Sequence, residues 1–117
     1  MIEKEIQSIL EKFFNCFSGR ILLKKLSDLI EIKGFGIECY GCMTSDGLKY
    51  GDEDFFGYEC VKITISAPAN LNDVEIIVTN QVFYNSLKNR VDLFIKRNPL
   101  KRTQALEYLV IIKNILT

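Results

Sequence analysis

Cys39 and Cys42 stand three residues apart, formally CxxC, and Cys16 and Cys60 bring the cysteines to four. A dithiol redox site places such a pair after a strand at a helix N-terminus, where the helix lowers the thiol pKa. Here the pair falls within alternating residues that read as a strand running into a turn. Zinc needs four ligands, yet there is no second CxxC and no histidine, which leaves an irregular all-cysteine set. The lack of histidine also removes the commonest general base and the usual activator of serine and cysteine nucleophiles. The cysteines therefore read as ordinary core and surface thiols without structural disulfides, and a zinc or thiol protein is kept only as an alternative.

The second group with chemical potential is acidic: Asp46, Asp52, Glu53, Asp54 and Glu59. A calcium loop would continue Asp52-Glu53-Asp54 with a further ligand and a glycine, whereas Phe55 and Phe56 follow. Paired-carboxylate catalysis needs a cleft that pushes two pKa values apart, and nothing in the spacing supplies one. The glycines of GFGIECYG lack both the dinucleotide order and the Walker lysine, so no phosphate cradle is expected. The chain thus reads as a non-enzyme without a cofactor or metal. What remains is aromatic residues, Tyr50, Phe55, Phe56 and Tyr58, interleaved with the acids. Aromatics supply contact area and carboxylates steer toward a basic partner, so Asp46, Asp52, Glu53, Asp54, Phe55, Phe56 and Glu59 form the candidate partner-binding set. For Phe55 and Phe56 a place in the core under the sheet is the competing reading.

Charge is balanced overall, 15 basic against 15 acidic residues, which disfavours a chain whose main task is neutralising phosphates. The balance hides two halves. Residues 36–75 hold eight acids and two lysines, a net of −6, and residues 80–117 hold seven basic residues and two acids, a net of +5. Such opposite fields either pair inside the fold or face different partners. Lys96, Arg97, Lys101 and Arg102 straddle Pro99 and support a small RNA-binding adaptor as the other alternative. No stretch nears the ~18 apolar residues of a membrane span and no secretory h-region opens the chain, so a cytoplasmic address without membrane contact is expected.

The elements that must carry these residues follow from periodicity. Ile6, Ile9, Leu10, Phe13, Phe14 and Phe17 mark a helix from Ile2 to Phe17, broken at Ser18-Gly19. Leu22, Leu26, Leu29 and Ile30 mark a second helix, stopped at Gly34. Alternation over residues 35–42 predicts one strand, and residues 44–59 read as a long turn or hairpin arm. Cys60, Val61, Ile63 and Ile65 predict a strand, Pro68, Asn70 and Asn72 a turn, and Val74, Ile76, Ile77 and Val78 another strand. Thr79 or Asn80 caps a helix buried through Phe83, Leu87, Val91 and Phe94 and ended by Asn98-Pro99. A final helix over residues 101–116 buries Leu106, Leu109, Val110, Ile112, Ile115 and Leu116. The order is ααβββαα, an α+β fold with an antiparallel sheet of about three strands between helix pairs, in one domain over residues 1–117.

The Gly-Asp-Glu-Asp-Phe-Phe run at 51–56, the strand after it, and Val74-Glu75-Ile76-Ile77-Val78-Thr79-Asn80-Gln81-Val82-Phe83 leading into a helix and Asn98-Pro99 resemble a known pattern. It is that of the immunity proteins of bacterial contact-dependent growth inhibition systems, above all those paired with ribonuclease toxins. The similarity spans about residues 45–116. It implies a cytoplasmic antitoxin that binds the C-terminal toxin domain of a large secreted protein and blocks its nuclease activity by occlusion. Asp52, Glu53, Asp54, Phe55 and Phe56 are the residues to which the resemblance carries an interface, and Asp46 and Glu59 extend it. The sequence leaves a homodimer open.

Overall fold

The computed structural model describes residues 3–17, 19, 21–37, 39–46, 48–53, 55–66 and 73–116. Ser18, Glu38, Asp54 and the predicted turn at Pro68, Asn70 and Asn72 lie outside them. In chain order the elements are helix α1 (Glu3–Asn15), helix α2 (Ile21–Ile32), strands β1 (Gly34–Ile37), β2 (Tyr40–Thr44), β3 (Cys60–Ile65) and β4 (Val74–Thr79), helix α3 (Asn80–Arg97), a single 3-10 turn at Pro99–Lys101 and helix α4 (Arg102–Ile115). The layout is α+β as the sequence implies, with four strands in place of three.

The extra strand arises where the sequence suggests one strand through residues 35–42. The chain reverses between Ile37 and Tyr40, which pair with each other. Glu38-Cys39 is not a turn pair of the Asn-Gly kind that announces a two-residue hairpin loop. Reversal also resets the alternation, so that Phe35, Cys42, Ile63 and Ile76 form one cross-strand row. All four are buried in the core.

The strands run antiparallel in the order β1-β2-β3-β4. One face carries Val61 and Ile63 of β3 and Ile76 and Val78 of β4 into the core, and the other leaves Met43 and Ile77 exposed. Period-two burial of this kind is what a sheet with a single covered face requires. The helices form the second layer, α2 against β1 and α4, α3 against β3 and β4, and α1 against α3.

Each helix contributes a stripe at helical spacing: Leu10, Phe13 and Phe14 on α1, with Phe17 just beyond its end, Leu22, Leu26 and Leu29 on α2, Phe83, Leu87, Val91 and Phe94 on α3. On α4 the buried stripe is Ala105, Leu109 and Ile112, whereas Val110, expected inside, is 60% exposed. Leu109 and Val110 are one helical step, ~100°, apart, so burying the first turns the second outward. Aromatic packing joins the layers: Phe17 and Phe13 stack on Phe35, and Phe14 lies 5.5 Å from Phe83.

The Thr79 hydroxyl accepts from the Val82 amide at 3.2 Å and caps α3, and the amide of Asn98 closes its far end on Phe94 and Ile95 carbonyls. No helix among the described residues is long and apolar enough to cross a membrane.

Candidate functional site

The connection from β2 to β3 is the acidic arm, and its ends are tied together. Ser45 N–H donates to the Cys60 carbonyl at 3.0 Å, and the Ser45 hydroxyl accepts from Cys60 N–H at 3.1 Å. Residues 46–59 therefore leave and re-enter the sheet at one neck, the form of a compact surface loop packed by its own side chains.

Inside the arm, Asp52 accepts from Lys49 N–H through its carboxylate at 2.8 Å, and its carbonyl accepts from Phe55 N–H at 3.1 Å. This carboxylate holds a turn as well as carrying charge. Phe55 sits between two tyrosines, its ring centroid 5.8 Å from that of Tyr50 and 4.9 Å from that of Tyr58, both edge-on. The Tyr58 hydroxyl accepts from Tyr50 N–H at 3.2 Å. Phe56 turns the other way, to the open face of the sheet, where the Lys62 ammonium lies 5.2 Å from its ring centroid.

Phe55 and Phe56 are thus half-buried, and both stand outside the main core. Phe55 stiffens the arm from within, and Phe56 lies against Lys62 of the sheet. The side chains the arm presents outward are Tyr50, 83% exposed, and Tyr58, 66% exposed, with Asp46, Glu53 and Glu59 also exposed. The two tyrosines are site residues that the acidic pattern alone does not single out.

The root of the arm is anchored twice more. Asp46 pairs with Lys33 at 3.1 Å, and the Glu59 carbonyl accepts from the first amide of α3, Asn80 N–H, at 3.0 Å. Glu59 takes the left-handed conformation, φ 53°, which side chains other than glycine and asparagine adopt at a cost. A cleft of about 380 Å³ opens at this root, between the arm and the adjoining ends of α3 and α4. Thr44, Asn80 and Leu116 contribute to it from three separate segments, so no local pattern in the sequence announces it.

Of the seven predicted residues, Asp46, Asp52, Glu53, Phe55, Phe56 and Glu59 all lie on this one arm, and Asp54 is outside the described residues. The basic residues Lys96, Arg97, Lys101 and Arg102 are exposed around the α3–α4 corner. That corner is a helix length away from the arm, since the 18 residues of α3 span about 27 Å. Among the described residues none of the ion pairs, Lys24–Asp28, Lys25–Asp28, Lys33–Asp46 and Lys88–Asp92, joins the acidic middle to the basic C-terminal segment. The arm and the basic corner lie at opposite ends of α3, while Lys113 of the basic segment lies at the arm's end, beside Asn80.

The cysteines offer a poor thiolate site. Cys39 lies in the β1–β2 turn and Cys42 in β2, away from any helix N-terminus. Burial pushes the Cys42 thiol up to about 12, which keeps it protonated at neutral pH. Among the described residues no three Cys, Asp or Glu side chains come together as a metal site.

A family model described as CDI immunity protein matches residues 6–109. A solved structure, an immunity protein, NMB0503, from Neisseria meningitidis MC58, superimposes with a TM-score of 0.68 at 14% identity, over 92% of this chain and 89% of that one. At that identity the likeness is one of fold. No curated protein matches the chain by sequence.

Proposed function

The chain belongs to the CDI immunity protein family, and from that premise we propose that it binds the toxin domain of its own contact-dependent growth inhibition system and neutralises it without catalysis, by covering the toxin's working surface with the acidic arm. The target is a ribonuclease with a basic cleft, met in the cytoplasm. The observation that carries the reading is the arm itself: a loop closed at its neck, stiffened by Phe55, and presenting Tyr50, Tyr58, Glu53 and Glu59.

A ribonuclease must present positive charge to RNA, and a rigid negative loop competes for that charge with little ordering cost on binding. Exposed tyrosines on such a loop supply contact area with few rotors to freeze. The basic corner lies at the far end of α3, so it does not repel a cationic cleft seated on the arm.

The test is co-expression with the toxin-bearing neighbour gene. A nuclease domain that copurifies at one-to-one ratio and is inactive supports the reading; an immunity protein that elutes alone removes it. Tyr50→Ala and Glu53→Lys, which touch no backbone hydrogen bond of the arm, are then expected to weaken the complex. A desolvated contact costs roughly 2–5 kcal/mol, and a rim charge mainly slows association.

A further inference from the structure

The basic corner combines charge with an apolar groove. Residues 93–106 hold Lys96, Arg97, Lys101 and Arg102 and no acid, a net of +4. All four side chains are exposed, and none joins an ion pair among the described residues. Asp92, the nearest acid before them in the chain, is engaged with Lys88 at 3.9 Å. Helix α4 starts here with no acidic residue in its first turn and no side-chain cap, so its free N–H groups add to the positive field. At the opposing negative end of α3, the Phe94 carbonyl is met by the backbone N–H and the side-chain amide of Asn98, at 2.9 and 3.1 Å.

At the same corner a groove of about 410 Å³ runs over Phe94, walled by Leu23, Asn98 and Lys101. A smaller hollow of about 170 Å³ shares Phe94 and Asn98 and adds Leu93 and Arg97. Leu93 and Leu100 are also exposed here, Leu100 to 98%. An apolar floor flanked by cations suits a partner that offers an aromatic side chain and carboxylates together. Nucleic acid suits it less, because single strands dock by stacking bases on exposed rings, and Phe94 on the groove floor is only 8% exposed.

The required composition is present at the other end of α3. The arm, residues 45–59, carries five acids against Lys49, a net of −4, equal and opposite to the corner. The exposed aromatic side chains among the described residues are Tyr50 and Tyr58, and both belong to the arm. Lys33 and Lys113 temper the field at its root, so the middle of the arm, with Tyr50 and Glu53, is the part best placed to engage a cationic surface. One molecule cannot bring arm and corner together, because α3 holds them about 27 Å apart.

We propose that the corner groove is a docking site for the acidic arm of a second copy of this chain, with Tyr50 seated over Phe94 and Glu53 facing Arg97 and Lys101. The contact joins two different patches and is therefore heterologous. It occupies the surface that the toxin is proposed to meet, so toxin and second copy compete for the arm. The inference goes beyond the toxin-binding reading and does not rest on it.

The test uses the full chain alone. Sedimentation velocity in about 50 mM salt is expected to show a mean mass rising above the 13.5 kDa monomer between roughly 20 µM and 1 mM protein, and returning to it in about 0.5 M salt. Two double variants each disable one patch: Tyr50→Ala with Glu53→Lys for the arm, and Arg97→Glu with Lys101→Glu for the corner. All four side chains are exposed, and thermal unfolding close to wild type checks that each variant folds. Each variant alone should associate about tenfold or more weakly than wild type. An equimolar mixture should associate again, since one component supplies an intact corner and the other an intact arm.

A monomer at every concentration, or a mixture no better than its components, overturns the docking. So does self-association that Tyr50→Ala alone leaves unchanged, since charge attraction without the groove would then account for it. A dilution series of the wild-type protein followed by amide NMR needs no variant: shifts at Tyr50, Glu53, Leu23 and Lys101 are expected, and shifts confined to other residues overturn the proposal. Binding of single-stranded RNA at the corner without self-association also overturns it. No toxin is present in these measurements, so their failure leaves the toxin-binding reading untouched.

Discussion

The ring of Phe17 lies flat on that of Phe35, with centroids 4.9 Å apart and planes 6° from parallel. Phe17 follows α1 and Phe35 lies on β1, so this stack clamps the first helix to an edge of the sheet. Phe17 is fully buried, and Phe13 stacks on the same partner. Phe17→Ala is expected to cost about 3–5 kcal/mol, a large share of the ~5–15 kcal/mol available to a domain. Phe17→Leu should cost far less, since it keeps most of the volume. Urea unfolding of the two variants checks the difference.

Lys33 joins α2 to β1 in the left-handed conformation, φ 63°, a place where helices usually put glycine. Lys33→Gly relieves that strain and gives up an exposed ion pair to Asp46, worth about 0–1 kcal/mol. A net gain of up to ~1 kcal/mol in urea is expected. The adjacent Gly34 behaves oppositely: a Cβ there would lie 2.5 Å from the Cys42 carbonyl oxygen, so Gly34→Ala should destabilise by about 1–3 kcal/mol as the β1–β2 pair is forced apart.

These two neighbours show where the sequence was legible and where it was not. Gly34 reads as a helix stop, and the helix does end just before it, yet the left-handed residue is Lys33 and the glycine serves strand approach. Long periodic stripes such as Phe83, Leu87, Val91 and Phe94 give away α3 because each position reports the same burial. The β1–β2 hairpin is hidden because Ile37 and Tyr40 already pair with each other, which leaves too little chain between them to carry a turn signature. Within the candidate site, charge and aromatic content locate the arm, since they are local. The cleft beneath it joins Thr44, Asn80 and Leu116, and only tertiary packing brings those together.

Cys42 sets an alkaline limit. Burial holds its thiol near 12 in the folded protein, against 9.0 for the unperturbed group. Below pH 9 the thiol is protonated in both states and stability is unaffected. Above pH 9 the unfolded chain loses the proton while the folded chain keeps it, so stability falls, by at most ~1.4 kcal/mol per pH unit, until the folded thiol ionises near 12. Urea midpoints measured from pH 8 to 11 should fall in wild type and fall less in Cys42→Ala, once the lower starting stability of that variant is subtracted. Iodoacetamide should likewise spare Cys42 at pH 8 until the protein unfolds.

Glu59 combines a left-handed backbone with an exposed carboxylate at the lip of the cleft, and two substitutions separate these properties. Glu59→Gly removes the steric cost of the conformation, partly offset by the greater freedom of glycine in the unfolded chain, for a net gain of about 0.5–1 kcal/mol. Glu59→Gln keeps the conformation and removes the charge, so stability should change by no more than ~0.5 kcal/mol, as is usual for a surface substitution. If the carboxylate meets the toxin, both variants lose affinity to a similar degree, and the loss shrinks as salt is raised. If the strained backbone instead presents Tyr58 correctly, Glu59→Gly alone weakens binding and salt has little influence. A protein made more stable and a worse inhibitor by the same substitution would identify position 59 as one where folding stability is traded for toxin recognition.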